Sequence, residues 1–213
     1  RHLVFNDTLK DKMKCRLFAV LSATVLLFMS CHRQQRTNNL AAYIDTLSLR
    51  KGDLIFREGR SAESAMVMAL DRHNYSHVGL LFNTKNGWKV VHAVPGESDN
   101  NTDTVKSEPI SAYLQSDRCA KAKIVRVPCK AYIAQKAVQY ALHKIGFPFD
   151  DKFDMADTTK FYCTELVWRA YLSAGIDISK GRRHNINVLG LRKTSLLPSD
   201  ITMGNTIKSI NLE

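Results

Sequence analysis

His77, His92 and Cys163 are the side chains whose types and order could do chemistry. His77 lies in Ser76-His-Val-Gly-Leu-Leu-Phe82, His92 in Lys89-Val-Val-His-Ala-Val-Pro95, and Cys163 opens Tyr162-Cys-Thr-Glu-Leu-Val-Trp168. A thiol in a first helical turn has unpaired amides and the positive dipole end beside it, and both favour thiolate. An imidazole within reach takes the thiol proton and later hands it to the leaving group. A second polar group bonded to that imidazole fixes its tautomer. The expected roles are Cys163 as nucleophile, His77 as general base and His92 as the orienting third member. The Cys163 amide is expected to donate to a developing oxyanion, with the Tyr162 hydroxyl as a candidate second support.

Taken singly, each residue has a plainer reading. A lone cysteine is more often a buried small hydrophobe, and a strand histidine is often half-buried structure. Their combination on a hairpin and a helix start points to catalysis. Glu165 is expected to stabilise the helix start as an acid in the first turn. His73, His143 and His184 fall outside the constellation and read as surface residues. Asp150, Asp151, Asp154 and Asp157 lack the EF-hand spacing, and no CxxC or HExxH pattern is present. No metal and no cofactor are expected.

The elements that must position these residues follow from periodicity. Ala41 to Leu49 suggests a short lead-in helix. Asp53-Leu-Ile-Phe56 reads as a strand, and Ser61 to Leu70 as a helix capped by Ser61, with Ala62, Ala65, Met66 and Ala69 on one face. Val78 to Phe82 and Trp88 to Val94 read as a hairpin. If Phe82 pairs with Gly87, His77 falls opposite His92 on one sheet face. Ser98 to Ser107 reads as a loop, Ser111 to Leu114 as a helical turn, and Ala122 to Val127 as a strand. Lys130 to Ile145 is a helix by its apolar spacing, ended by Gly146 and Pro148. After an irregular stretch from 147 to 162, a second strong helix runs from Cys163 to Ala174. Arg182 to Lys193 reads as a basic loop, and Ile207 to Leu212 as an edge strand. If the 122–127 strand forms, Cys119 and Cys129 lie roughly 33 Å apart along it, too far for a disulfide.

The ends are read separately. Residues 1–12 precede Met13 and are expected to be an overextended, non-native start. Residues 13–30 form a basic leader and an apolar run, Leu17 to Met29, which falls short of the roughly 20 residues a membrane span needs and suits a signal peptide. Leu27-Phe-Met-Ser30 before Cys31 resembles a bacterial lipoprotein signal, with a lipid on Cys31. Residues 31–40 are then a tether and 41–213 one folded domain. Lys and Arg number 31 against 20 acids, and removing residues 1–30 leaves the remainder basic. The bases are scattered, without an aromatic-and-basic motif, so nucleic acid is not an expected partner. The absence of acid after Cys31 favours the outer membrane, facing the periplasm.

Gly52-Asp-Leu-Ile-Phe56, Ser76-His-Val-Gly79, Val91-His-Ala93 and Tyr162-Cys-Thr-Glu-Leu-Val167 together resemble the YiiX/YebB-like family. This is the circularly permuted branch of the papain-like NlpC superfamily of cysteine peptidases. Gly146-Phe-Pro-Phe-Asp150 and Leu197-Pro-Ser-Asp200 extend the likeness. The resemblance implies an α+β fold, an antiparallel sheet packed with helices, in which the histidine strands precede the cysteine helix. It also implies Cys163 as nucleophile, His77 as base and His92 at the third position, where some relatives carry Glu. Lecithin:retinol acyltransferase shares a similar core, which keeps lipid substrates in view. The expected function is a monomeric, lipid-anchored thiol hydrolase cleaving an amide in a cell-wall or related small peptide. The alternatives are a lipid acyl hydrolase or acyltransferase, and a non-catalytic binding module on the same scaffold.

Overall fold

The computed structural model describes residues 40–95, 97, 103–188, 191–203 and 209–212. The leader, Cys31 and nearly all of the tether lie outside these residues. Among the described residues no helix is long and apolar enough to cross a membrane.

The chain opens with two short 3-10 turns, Leu40–Tyr43 and Thr46–Ser48, in place of the single helix expected there. Asp45 explains the break: its side chain accepts from the Leu47 amide and caps the second turn. Then follow β1 (Leu54–Gly59), α1 (Ala62–Asp71), β2 (His77–Thr84), β3 (Gly87–Val94), β4 (Thr104–Pro109), α2 (Ile110–Tyr113) and β5 (Cys119–Val125). The second half holds α3 (Ala131–Leu142), α4 (Cys163–Ser173), β6 (His184–Val188), β7 (Leu191–Ser195), α5 (Pro198–Thr202) and β8 (Ser209–Leu212). Six strands form one antiparallel sheet in the order β4-β3-β2-β1-β5-β8, and β6 pairs with β7 separately.

Period-two alternation divides the sheet residues between two cores. Leu54, Phe56, Val78, Leu80, Val91 and Ala93 pack against α3 and α4 through Ala137, Val138, Leu166, Val167 and Tyr171. Ile55, Leu81, Val90 and Ile124 pack on the other side with Tyr113, Leu114 and the lead-in turns. Covering on both faces is why β1 and β2 read as nearly unbroken apolar runs. Gly52 locks α3 and α4 to the sheet edge. Its φ of 86° favours glycine, an added Cβ would sit 2.8 Å from both Ala134 Cβ and the Tyr171 hydroxyl, and its carbonyl accepts from that hydroxyl at 2.6 Å.

Several expectations change. Ser61 does cap α1, accepting from the Ser64 amide, but the helix turns Ser64, Val67, Met68 and Asp71 inward, while Ala62, Ala65, Met66 and Ala69 are exposed. The reason is polar: buried Asp71 accepts from the Ser199 amide at 3.0 Å and from its hydroxyl, which fixes the helix rotation. Within the expected 98–107 loop, residues from Thr104 onward form β4, because they complete the open edge of β3. The expected basic loop contains the β6–β7 hairpin, and His184 is half-buried, with Nδ1 2.8 Å from Asp200 Oδ2. Cys119, Cys129 and Cys163 are free thiols.

Candidate active site

The hairpin register differs from the expected one in an instructive way. Thr84 pairs with Gly87 and Leu80 with Val91, so the connection is Lys85-Asn86, two residues tighter than expected. Gly87 takes a φ of 100°, which closes the turn. A shift of two residues preserves side-chain parity, so His77 and His92 still share a face and meet diagonally. His77 Nε2 lies 2.8 Å from His92 Nδ1, with both rings buried. Gly79 makes room for the pair: a Cβ there would lie 3.1 Å from His92 Cβ and 2.4 Å from Val90 Cγ1.

Beyond His92 stands a residue that sequence reading missed. Glu108 on β4 places Oε1 3.1 Å from His92 Nε2, a close approach too poorly aligned to count as a hydrogen bond. Tyr113 closes the same space, its ring centroid 5.1 Å from that of His92 and 5.8 Å from that of His77. Its hydroxyl donates to the Ile55 carbonyl at 3.0 Å. Arg57, directly opposite His77 across β1 and β2, is buried with its guanidinium 4.6 Å from the Tyr113 ring centre. It donates to the Tyr113 carbonyl at 3.0 Å and pairs with Glu97. The available signal for Arg57 was a charge inside an apolar strand, Leu54-Ile-Phe-Arg57. Tyr113 and Glu108 had none, because their partners are distant in sequence.

Cys163 is the first residue of α4, as its spacing before Leu166, Val167 and Ala170 requires. Tyr162 is the extended N-cap residue. The Tyr162 hydroxyl accepts from the Leu196 amide at 2.9 Å, tying the residue before the thiol to the segment entering α5. Cys163 and His77 line one cleft of about 230 Å³ with Arg57, Ser76, Glu97 and Phe153. The backbone amides of Val78, Thr164 and Cys163 itself bear on the sulfur. Among the described residues no hydrogen bond joins the thiol to either imidazole.

Electrostatics correct one expectation. Burial, more than any neighbour, pushes the Cys163 thiol up to about 11, outweighing the amides that pull it down. The helix start is therefore insufficient to make a resting thiolate. Burial likewise holds His77 and His92 well below the usual histidine value, with the Arg57 charge acting in the same direction. The resting site is a neutral thiol beside two neutral imidazoles. Glu165 lies in the first turn of α4, as expected, and is fully buried; burial raises it to about 7 against the opposing pull of Arg169, whose Nε donates to Oε1 at 2.7 Å.

A permuted papain-like core with a helix-start cysteine and a strand-borne imidazole pair defines the class. The model of the permuted papain-like amidase family, YaeF/YiiX, C92, matches residues 48–190. The chain belongs to that family. It is 30% identical over 125 residues to the uncharacterized protein YiiX of Escherichia coli strain K12, covering 58% of this chain and 57% of that protein. The chain thus spans little more than half the length of that curated relative. The crystal structure of YiiX from Escherichia coli O157:H7, described as a metalloprotein, has a TM-score of 0.64 at 22% identity. It covers 77% of this chain and 97% of that one, and shows the shared fold. Among the described residues here, no group of three or more His, Cys, Asp or Glu side chains is arranged to hold a metal ion.

Proposed function

We propose that the protein is a thiol-dependent amide hydrolase in which Cys163 attacks, His77 moves the proton and His92 orients His77. The observation that carries this reading is the 2.8 Å contact between His77 Nε2 and His92 Nδ1 beside the cleft that Cys163 lines. That contact occupies Nε2 of His77 and leaves Nδ1 to serve the thiol. Glu108 favours a proton on His92 Nε2, so His92 Nδ1 accepts and His77 Nε2 donates. His77 Nδ1 then holds the lone pair that a general base needs.

A neutral thiol and a neutral imidazole are a competent starting pair. As substrate enters, His77 takes the Cys163 proton while sulfur bonds to the carbonyl carbon. Backbone amides at the start of α4 receive the oxyanion. Collapse breaks the C–N bond, and His77 gives its proton to the departing amine. Water then attacks the thioester, His77 again taking and returning a proton, and a carboxylic acid leaves. Tyr162, engaged with Leu196, is assigned the positioning of Cys163.

The first substrate candidate is an amide in a cell-wall or related small peptide, met in the periplasm by a protein anchored through Cys31. The anchor rests on Leu27-Phe-Met-Ser-Cys31 alone. A second reading, acyl hydrolysis or transfer on lipids, is favoured by an apolar cavity adjoining the thiol cleft. Incubating the protein with muropeptides and with N-acyl lipids, followed by mass spectrometry, tests the proposal. Cleavage that vanishes in Cys163→Ala supports thiol catalysis; cleavage that persists in that variant removes Cys163 as nucleophile.

A further inference from the structure

The end of the sheet remote from the thiol carries a basic surface studded with exposed apolar side chains. Arg57 and His77 pair at the cleft end, whereas Leu54 pairs with Leu80, and Thr84 with Gly87, towards the other end. Along β2, His77 and Asn83 lie about 20 Å apart. Asn83, Trp88, Arg50, Lys51 and Arg126 line a cavity of about 400 Å³ at this far end. Ala131 and Gln135, from the start of α3, also line it.

Leu47 in the second lead-in turn is 95% exposed, Tyr43 in the first is 67% exposed, and Tyr132 in the first turn of α3 is 56% exposed. The Ser48 carbonyl, next to Leu47, accepts from Arg126 at 2.8 Å, which places Leu47 beside the cavity. Exposed bases stand among these side chains: Arg50, Lys51, Lys85 in the β2–β3 turn, and Lys130 at the α3 N-cap. Among the described residues no ion pair joins any of these four to a carboxylate. The nearby acids are exposed Asp45 and buried Asp53, and Arg126 engages Asp53 at 2.6 Å. Residues 128–144, which include all of α3, contain no acid.

We infer that this end of the molecule rests on an anionic lipid bilayer. Leu47, Tyr43 and Tyr132 enter the headgroup layer, and Arg50, Lys51, Lys85 and Lys130 lie against lipid phosphates. Buried apolar area and attraction of bases to anionic headgroups together set the strength of such interfacial binding. Tyrosine suits that boundary because its body is apolar and its tip polar. The apolar side chains project singly from separate turns among bases, which fits a fluid headgroup layer better than the continuous apolar centre of a protein interface. The proposed lipid on Cys31, nine residues before Leu40, adds a tether of at most about 30 Å to the segment that carries Tyr43 and Leu47. In this orientation the Cys163 cleft stands about 20 Å from the headgroups and receives substrates arriving through water.

The test places the full-length protein on vesicles of phosphatidylglycerol and phosphatidylcholine brominated in the upper acyl chain. Trp88, half-buried at the cavity, and Trp168, against Asp177 and Arg183, are the only tryptophans. Trp168→Phe therefore leaves a reporter at the proposed contact, and Trp88→Phe leaves one on α4. Bromine should quench Trp88 and spare Trp168, a readout of orientation that holds however the chain is tethered. Trp88 emission should recover on phosphatidylcholine alone and in roughly 1 M salt, where the Debye length falls to about 3 Å. Leu47→Glu with Tyr132→Glu, and separately Lys51→Glu with Lys85→Glu, should each restore it; all four side chains are exposed, so these variants keep the fold. Lys152→Glu, an exposed base beside the cleft, should leave Trp88 quenched. Equal quenching of the two tryptophans, or stronger quenching of Trp168, overturns the orientation. Trp88 quenching that survives both charge reversal and salt overturns the anionic contact. Binding of a polyglutamate peptide with no loss of Trp88 emission on the vesicles assigns the surface to an acidic protein and overturns the bilayer.

Discussion

The sulfur of Cys163 illustrates how burial and backbone dipoles compete at one atom. Three backbone amides, two of them at the helix start, and the Arg57 charge lower its proton affinity, yet desolvation wins and pushes the thiol up to about 11. Alkylation of the resting protein by iodoacetamide should therefore keep accelerating above pH 9, with a midpoint about 11 for Cys163. A midpoint at or below the ordinary cysteine value would show that the thiolate is preformed. The two imidazoles are pushed the opposite way and stay neutral, so kcat/KM should lose its acid limb only below the usual histidine range. For His92, the proposed task is a polar contact with His77 Nε2. His92→Ala should thus lower kcat by about 10²-fold or more, a typical value for a disturbed general base. His92→Gln, which can still accept that hydrogen bond, should recover part of the loss, and an equal loss in both variants would leave the orienting role without support.

At the level of elements, the β2–β3 hairpin determines whether the imidazoles meet at all. Gly79→Val would drive side-chain atoms into Val90 and towards His92, where even a Cβ is 2.4 Å from Val90 Cγ1. A cost of about 1–3 kcal/mol is expected from such overpacking, read as a lower denaturant midpoint with an unchanged slope. Wild-type stability in this variant would mean the strands can move apart there. The hairpin also shows what was legible in the sequence. Its two apolar runs, separated by the polar Asn83 to Asn86 and Gly87, identified both strands, and the two-residue error in loop length preserved the shared face of His77 and His92. Cys163 at the start of α4 and the Ala137, Val138, Ala141 stripe of α3 were equally visible, because helix periodicity is local. β4 and the β6–β7 hairpin escaped notice because charged residues such as Lys106, Glu108, Arg192 and Lys193 mask strand alternation; pairing with a neighbour supplies the signal. The inward rotation of α1 was missed because it is set by Asp71, which bonds to Ser199 far along the chain.

Across the whole molecule, buried titratable groups couple folding to pH in opposing directions. Glu165 is raised to about 7 in the fold but titrates near 4.5 when exposed, so between these values the folded state binds the extra proton. Its contribution falls as pH rises through that window. His77 and His92 are neutral in the fold, whereas unfolded histidines bind protons below about 6.5, and their contribution falls as pH drops. Between pH 5 and 6 the two imidazoles oppose the one carboxyl, and of these three groups the histidines draw the greater proton uptake on unfolding. Their joint contribution to the unfolding free energy should therefore decline on acidification. Replacing Glu165 by Gln removes the opposing proton while retaining an oxygen that can accept from Arg169. Its slope over the same interval should be steeper than that of the parent, whatever the absolute stability of the variant. Urea unfolding of both proteins at pH 5 and 6 measures the two slopes directly. Parallel slopes would mean that Glu165 is already ionised in the folded protein at these pH values, with Arg169 outweighing its burial.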